Sequence, residues 1–527
     1  MDYTKMVPGE RYFTADDSTS RGNLHEYFDN PYVFALVGLI VVVLVTRAIS
    51  SRNTVSSSIN LDDGQTAHTV PSVLYWLPIL GHIPNMVLDA DGFIKRLRSR
   101  YTHGIFALHF GGTTHNIVYT PGLASALLNQ KSSNADAEEV QKRIMTGVFG
   151  FPANEMDKYD AAFPELMACY KHLLTEPSLG DMVAQTARRT QDNIKDLVTG
   201  NDSIVDQTPW ERTSRVRITT DRSGEDVVEA SLLSLIRNFA AYTASPILMG
   251  SDFLANNPHF FDDVWTLDRG FLLLAVGLPR WVPVPAVTRA HIARKRLLEQ
   301  LTVFHEAVEK EANGQDPGPR WSSLDDVGAL VKARVQVYRK YGWSMQARAA
   351  IESSLMWAAN ANSNSLIFWM VNRIYADRAL LEMIREEVEP YVRAIAAPTT
   401  GFGGIAEAPR LDRFDVEGLC ESCPLLKSCY VECLRLDTAS WSLKVVKQDF
   451  VLQSKEKDAQ GWLLRKGEYA HAAHDLHNTD PNHFSDPTLW KADRHVRYQG
   501  AGGKSAVDMG SIRPYGTFLI DEPITAH

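Results

Sequence analysis

Between Asp29 and Arg47 the chain runs for seventeen residues without a charge, and residues 33–45 are apolar throughout. Lipid offers the backbone no hydrogen-bond partners, so a run of this kind that enters a bilayer has to be helical. At ~1.5 Å per residue it reaches about 26 Å, enough for a thin bilayer such as that of the endoplasmic reticulum. A cleaved signal peptide fits badly, because a polar segment with more acids than bases precedes the run and Arg47 and Arg52 follow it. A buried core helix is the other reading of so short a span. The two arginines on the C-terminal side put the body in the cytosol. The sequence thus predicts a lumenal segment over residues 1–31, one transmembrane helix over 32–49, a linker rich in Ser, Thr, Asn and Asp over 50–70, and a body over 71–527.

The body is long enough for a large globular fold. A net charge of −9 gives no support to nucleic-acid binding, which favours a basic face. Four of the five cysteines, Cys420, Cys423, Cys429 and Cys433, crowd into fourteen residues, and Cys169 stands apart. An odd count in this arrangement argues against a secreted disulfide framework and for a reducing compartment. Cys420 and Cys423 have the spacing of a zinc or iron–sulfur pair, but no histidines follow at finger spacing. Reduced thiols packed as small apolar side chains are the better reading.

Prolines at positions 71, 78 and 84 predict a stiff, non-helical arm after the linker. Two short strands follow, near 104–111 and 116–119, joined by a turn at Gly111 and Gly112. From Pro121 to about Arg393 the pattern is mostly helical. Strands return after Arg435, at 450–452 and 462–464. The expected fold is mainly α with small β-sheets near both ends.

The longest helical pattern opens at Trp343 and Ser344, with Ser344 as its cap, and extends to about Asp377. Its middle is polar: Asn360, Asn362, Ser363 and Asn364 interrupt apolar residues on both sides. Asn360 and Asn364 share a face and Asn362 points elsewhere. A solvated patch and a ligand-lining break in a buried helix both fit. Farther on, Glu432 and Arg435 stand three apart on one helix face and can pair. Arg494 can complete a buried network in which two cations offset one carboxylate.

In order and spacing these features resemble the cytochrome P450 family from about Pro71 to Gly516. The arm is similar to the proline-rich hinge after the anchor of microsomal members. Glu432 and Arg435 match the Glu-x-x-Arg helix, and the stretch from His477 through Asp480, Pro481, Phe484, Asp486, Pro487 and Trp490 to Arg494 matches the region supplying the third member of the structural triad. Arg513, Tyr515 and Gly516 look like the opening of the haem-binding loop. The long helix, with Asn362 and Ser363 where most members have an acid and a threonine, looks like the branch of the sterol 7α-hydroxylases and prostacyclin synthase.

The resemblance implies a P450 fold behind an N-terminal transmembrane helix, haem as cofactor, and electrons from NADPH through a membrane-bound cytochrome P450 reductase. It implies a single-pass protein of the endoplasmic reticulum membrane whose body faces the cytosol and oxidises an apolar small molecule, such as a secondary metabolite, sterol or lipid. Asn362 and Ser363 take the catalytic positions, where a hydroxyl relays protons. The register that follows Tyr515 and Gly516 places Phe518 at the loop's second glycine and Glu522 at the cysteine that holds the iron, and no cysteine follows Cys433. The expectation is therefore a fold incomplete after about residue 516, by truncation or mis-splicing, and inactive as written. The rivals are a haem-free, membrane-tethered pseudoenzyme that binds rather than oxidises, and an isomerase of the P450 type.

Overall fold

A computed structural model describes residues 31–52, 54–60, 64, 66–396, 409–437, 441–456, 459–497 and 506–507. The chain divides into two compact units, Met1–Asn116 and Ile117–His527.

In the first unit the apolar run forms the helix Pro31–Ser51, whose window from Tyr32 to Ser51 is long and apolar enough to cross a membrane. Leu36, Leu39, Val41 and Leu44 project outward, all about half exposed, as in a helix with no protein around it. The Arg47 guanidinium lies over Trp76, 4.5 Å from the ring centre, and Ser50 Oγ donates to Tyr75 O at 3.1 Å. The polar stretch expected as a linker is not featureless: Ser58–Asn60 and Thr66–Thr69 form an antiparallel hairpin. Strands of three and four residues carry almost no periodicity, so the composition of this stretch reads as a linker. The proline-rich arm is extended only in its first part: residues 78–82 form turns, and Pro84, expected in a non-helical arm, lies in the first turn of the helix Ile83–Arg100, where its missing N–H is not needed. Val73 N donates to Ala107 O and Ala107 N to Pro71 O, both at 2.9 Å, so the arm runs alongside the strand Ile105–Phe110. Gly111 and Gly112 turn the chain with φ of 58° and 84°, a region that side chains disfavour.

The second unit is helix-dominated. Phe260–Ala275 and Pro285–Ala312 pack closely because residue 270 is glycine; a methyl there would overlap Ala290. Aromatic rings fill the space around them, with Phe253, Phe260, Phe261 and Phe304 wholly buried. Tyr338 stacks on Trp343 at 5.1 Å and 18°. One hairpin, Arg217–Thr220 with Asp226–Glu229, interrupts the stretch expected to be helical. Its strands are largely exposed, so no alternating apolar pattern marks them. Later in the chain Tyr469–Ala473 and Ala135–Asp136 flank Trp441–Val446 in an antiparallel sheet, and Phe450–Leu452 pairs with Trp462–Leu464.

Ser344 caps the long helix as expected, its Oγ accepting from Ala347 N at 3.2 Å. The helix is two helices, Met345–Ala361 and Ser363–Ala376, and Asn362 is the residue between them, at φ −90° and ψ −57°. The four buried thiols, Cys169, Cys423, Cys429 and Cys433, are unpaired, and Cys420 is exposed.

Candidate functional site

Glu432 and Arg435 sit one turn apart on the helix Pro424–Asp437, and both are fully buried. Arg435 Nε and Nη2 donate to the two carboxylate oxygens at 2.8 and 2.7 Å, a fork-on-fork geometry that only a planar guanidinium makes. The rest of the same guanidinium holds the chain that passes over it. Its Nη1 donates to Asn478 O and Pro487 O, each at 2.6 Å, and its cation lies 4.9 Å from the Phe484 ring centre.

Arg494 arrives from that passing stretch. Its Nε donates to Glu432 Oε1 at 2.9 Å, while Nη1 and Nη2 donate to Ser485 O at 2.6 Å and Leu489 O at 2.8 Å. The structure thus brings Glu432, Arg435 and Arg494 together. Sequence reasoning missed two further donors. His495 Nε2 is 3.0 Å from Glu432 Oε2, and Lys491 N donates to Oε1 at 3.1 Å. Burial alone pushes the Glu432 carboxyl up. The hydrogen bonds from Arg435, His495 and Arg494, with the Arg435 charge, outweigh burial and hold it at about 2. The carboxylate is therefore a permanent anion at the centre of a cationic cage, and its chemistry is to fix three segments of backbone in place.

The break in the long helix is the second element. Asn360 and Asn364 are buried; Asn360 Nδ2 donates to Met356 O at 2.9 Å and Asn364 Nδ2 to Arg237 O at 3.2 Å. Asn362 and Ser363 are exposed, and Ser363 Oγ donates back to Ala359 O at 3.2 Å. The polar patch is thus split between a buried pair that ties helices together and an exposed outward pair. Trp357, on the first half, stacks on Phe271 at 4.5 Å and donates to Asp268 at 2.9 Å. The second half is joined to the ion network's helix by Arg373, whose Nη2 and Nε donate to the Asp437 carboxylate at 2.7 and 3.1 Å.

The four buried thiols do not suit an iron ligand, which has to be an accessible thiolate. Burial pushes Cys429 and Cys433 up to about 12, and it raises Cys169 and Cys423 as well, so all four stay protonated at neutral pH. Cys420 is exposed on the short helix Val416–Ser422. Among the described residues no group of three or more His, Cys, Asp or Glu could hold a metal ion. Arg513, Tyr515, Gly516 and Glu522, which the resemblance assigns to the haem loop, lie outside the described residues. The described part accounts for the scaffold and not for a haem ligand.

The broken long helix and the Glu–Arg–Arg cage are features that the sequence resemblance leads one to expect, and comparison with known proteins points the same way. The chain is 24% identical over 472 residues to the cytochrome P450 monooxygenase efuG of Hormonema carpetanum, covering 87% of this chain and 75% of that protein. It is 19% identical over 488 residues to a cytochrome P450 monooxygenase of Gibberella zeae, covering 92% and 81%. Cholesterol 7-alpha-monooxygenase of Cricetulus griseus is 26% identical over 230 residues, 44% of this chain and 40% of that protein. No family profile matches. Over most of its length the chain is thus similar to proteins named cytochrome P450 monooxygenases, which are oxidoreductases, and over a shorter stretch to a cholesterol 7-alpha-monooxygenase.

Proposed function

We propose that the protein has the scaffold of a membrane-anchored cytochrome P450 and acts on an apolar small molecule of the sterol, lipid or secondary-metabolite kind. The Glu432–Arg435–Arg494 cage carries this reading, because it locks the stretch 477–495 onto the helix Pro424–Asp437 in the arrangement the sequence resemblance expects. The anchor is Pro31–Ser51, crossing the endoplasmic reticulum membrane once, with the body on the cytosolic side where an NADPH-dependent reductase is found. Asn362 and Ser363 present an amide and a hydroxyl at the helix break, able to orient a polar group of the substrate and to pass a proton.

In this class a haem iron held by cysteine thiolate supplies the oxygen chemistry. Glu522 stands at the position the resemblance gives to that cysteine, and a carboxylate is a harder ligand that does not supply the same electron push. The chain as written therefore lacks monooxygenase activity. That same residue favours a second reading, a haem-free binding protein tethered to the membrane. Asn362 beside Ser363 favours a third, an isomerase that needs no reductase.

A reduced, carbon-monoxide difference spectrum separates these. The chain as written gives no thiolate-type band. A chimera in which the residues from Gly516 onward are replaced by the cysteine-bearing loop of a relative gives one if the scaffold is a haem scaffold. A folded chimera that takes up no haem defeats the P450 reading and leaves the binding protein. A chimera with the band that rearranges a lipid peroxide without reductase supports the isomerase.

A further inference from the structure

Away from the helix break, the second unit contains an open cavity of about 1250 Å³ between the Arg217–Glu229 hairpin and the helices Leu232–Ala244 and Phe260–Ala275. Five arginines line it, Arg212, Arg215, Arg217, Arg237 and Arg269, against two carboxylates, Glu229 and Asp262. The two acids are engaged: Glu229 pairs with Arg217 at 2.9 Å, and Asp262 is 3.2 Å from His259. The other four arginines have no carboxylate within ion-pair distance among the described residues, although Asp268 and Asp262 act on Arg237 from farther off. In a chain of net charge −9 such a local excess of cations is not a product of composition.

The floor of the cavity is rigid. The Arg237 guanidinium lies over Trp265, 4.3 Å from the ring centre. Trp265 Nε1 donates to Asn238 Oδ1 at 2.7 Å, and Asn238 Nδ2 donates to Ser214 Oγ at 3.0 Å. Trp265, Asn238 and Ser214 are all buried. Arg237 Nε is buried too, yet has no hydrogen-bond partner among the described residues. A buried guanidinium donor left unpaired is costly, and burial together with the neighbouring Arg269 charge pulls its pKa down, with the Asp268 and Asp262 charges offsetting this only in part. Each of these penalties is relieved by an anion. At the mouth, Arg212, Arg215 and Arg269 are exposed. Arg212 Nη1 donates to Gln207 O at 2.8 Å and Arg269 Nη2 to Thr266 Oγ1 at 2.9 Å, which fixes both groups while leaving other N–H donors for a ligand.

We propose that this cavity is a binding site for a small phosphate-bearing molecule, with Arg237 on its Trp265 platform as the anchor and Arg212, Arg215 and Arg269 as the clamp. Guanidinium forks match phosphate oxygens in pairs, and four unpaired cations offer more charge than a single carboxylate neutralises. The volume exceeds what a bare phosphate ion fills, so the phosphate belongs to a larger molecule or to a chain of phosphates. Asn364 Nδ2 donates to the Arg237 backbone carbonyl, so the anchor's helix is tied directly to the broken long helix. The site uses no residue of the P450 reading and stands whether or not that reading holds.

The test is isothermal titration of the detergent-solubilised full chain with inorganic pyrophosphate, with citrate as a carboxylate of comparable charge. Pyrophosphate is expected to bind saturably, one per chain, at physiological salt. Arg237→Gln weakens it by about tenfold or more, the loss of a charge-assisted bond or two. The double substitution of Arg212→Gln with Arg269→Gln, at exposed positions that leave the core untouched, has a similar effect. Arg222→Gln, on the same hairpin but outside the cavity, leaves affinity unchanged. Absence of saturable binding overturns the proposal, as does equal weakening by Arg222→Gln, which marks a diffuse charge effect. Tighter binding of citrate than of pyrophosphate overturns the assignment to phosphate.

Discussion

Arg435 grips Glu432 through two parallel hydrogen bonds of 2.7 and 2.8 Å, and neither side chain is exposed to solvent. The pair is inseparable from Arg494 and His495, which meet the same carboxylate. Removing Glu432 leaves buried cations with no anion. Glu432→Ala is therefore expected to cost roughly 3–5 kcal/mol, enough to unfold a marginal domain. Chemical denaturation against the unsubstituted chain measures it; a loss under about 1 kcal/mol would show the cage to be dispensable.

The same carboxylate makes the fold acid-sensitive in a definite window. Its folded pKa, about 2, lies below its ordinary value of 4.5. A depressed carboxyl contributes stability that is fully present above the ordinary value and is lost as pH falls from there to the folded value. Denaturation midpoints should drop between about pH 4.5 and 2. In Glu432→Gln this part of the decline disappears.

His305 adds a second acid response at higher pH. It is buried against Phe304 and Tyr338, neither ring nitrogen finds a partner among the described residues, and burial, aided by Arg348 and Arg334, lowers its pKa to about 3. The unfolded chain takes up a proton near 6.5 while the folded chain does not, so stability falls as pH drops from 6.5 towards 3. His305→Phe should remove that slope and be neutral or stabilising by about 1 kcal/mol at neutral pH, since no hydrogen bond is lost. An unchanged slope between these pH values would show that His305 does not titrate as described.

Ser344 caps the long helix through a single bond to Ala347 N. Ser344→Ala should cost about 1 kcal/mol, and Ser344→Asp at least as much, because the new carboxylate would face that of Glu155, which accepts from Ser344 N at 3.1 Å. Thermal melts of the two variants, compared directly, check the difference.

If Pro31–Ser51 spans a bilayer, a charge at its middle is expensive. Val41→Arg costs ~3 kcal/mol of insertion free energy and should shift a fraction of the protein from the membrane pellet to the supernatant after alkaline extraction. Equal retention of both forms would count against a spanning helix.

Sequence alone decided what depends on near neighbours. A charge-free run longer than a dozen residues has one stable form in lipid, a serine before an apolar periodic stretch is a helix cap, and residues three apart on a helix meet. These rules located Pro31–Ser51, the cap at Ser344 and the pairing of Glu432 with Arg435. Arg494 was marked as a candidate third member by the resemblance alone, which supplied a distance that local rules do not.

Only the tertiary structure decided how distant residues meet. His495 reaches Glu432 across sixty-three positions, and Asn364 meets the Arg237 carbonyl across a hundred and twenty-seven. The same holds for orientation: Asn362 and Ser363 face outward while Asn360 and Asn364 are buried, although all four lie within one polar patch. The arginine cavity was invisible in the sequence because its members are spread from Arg212 to Arg269 over four elements, none of which stands out as basic by itself. Short-range periodicity fixes the shape of a segment, but burial and charge neighbourhood belong to whichever segments come to lie beside it, and that is set by packing of the whole chain.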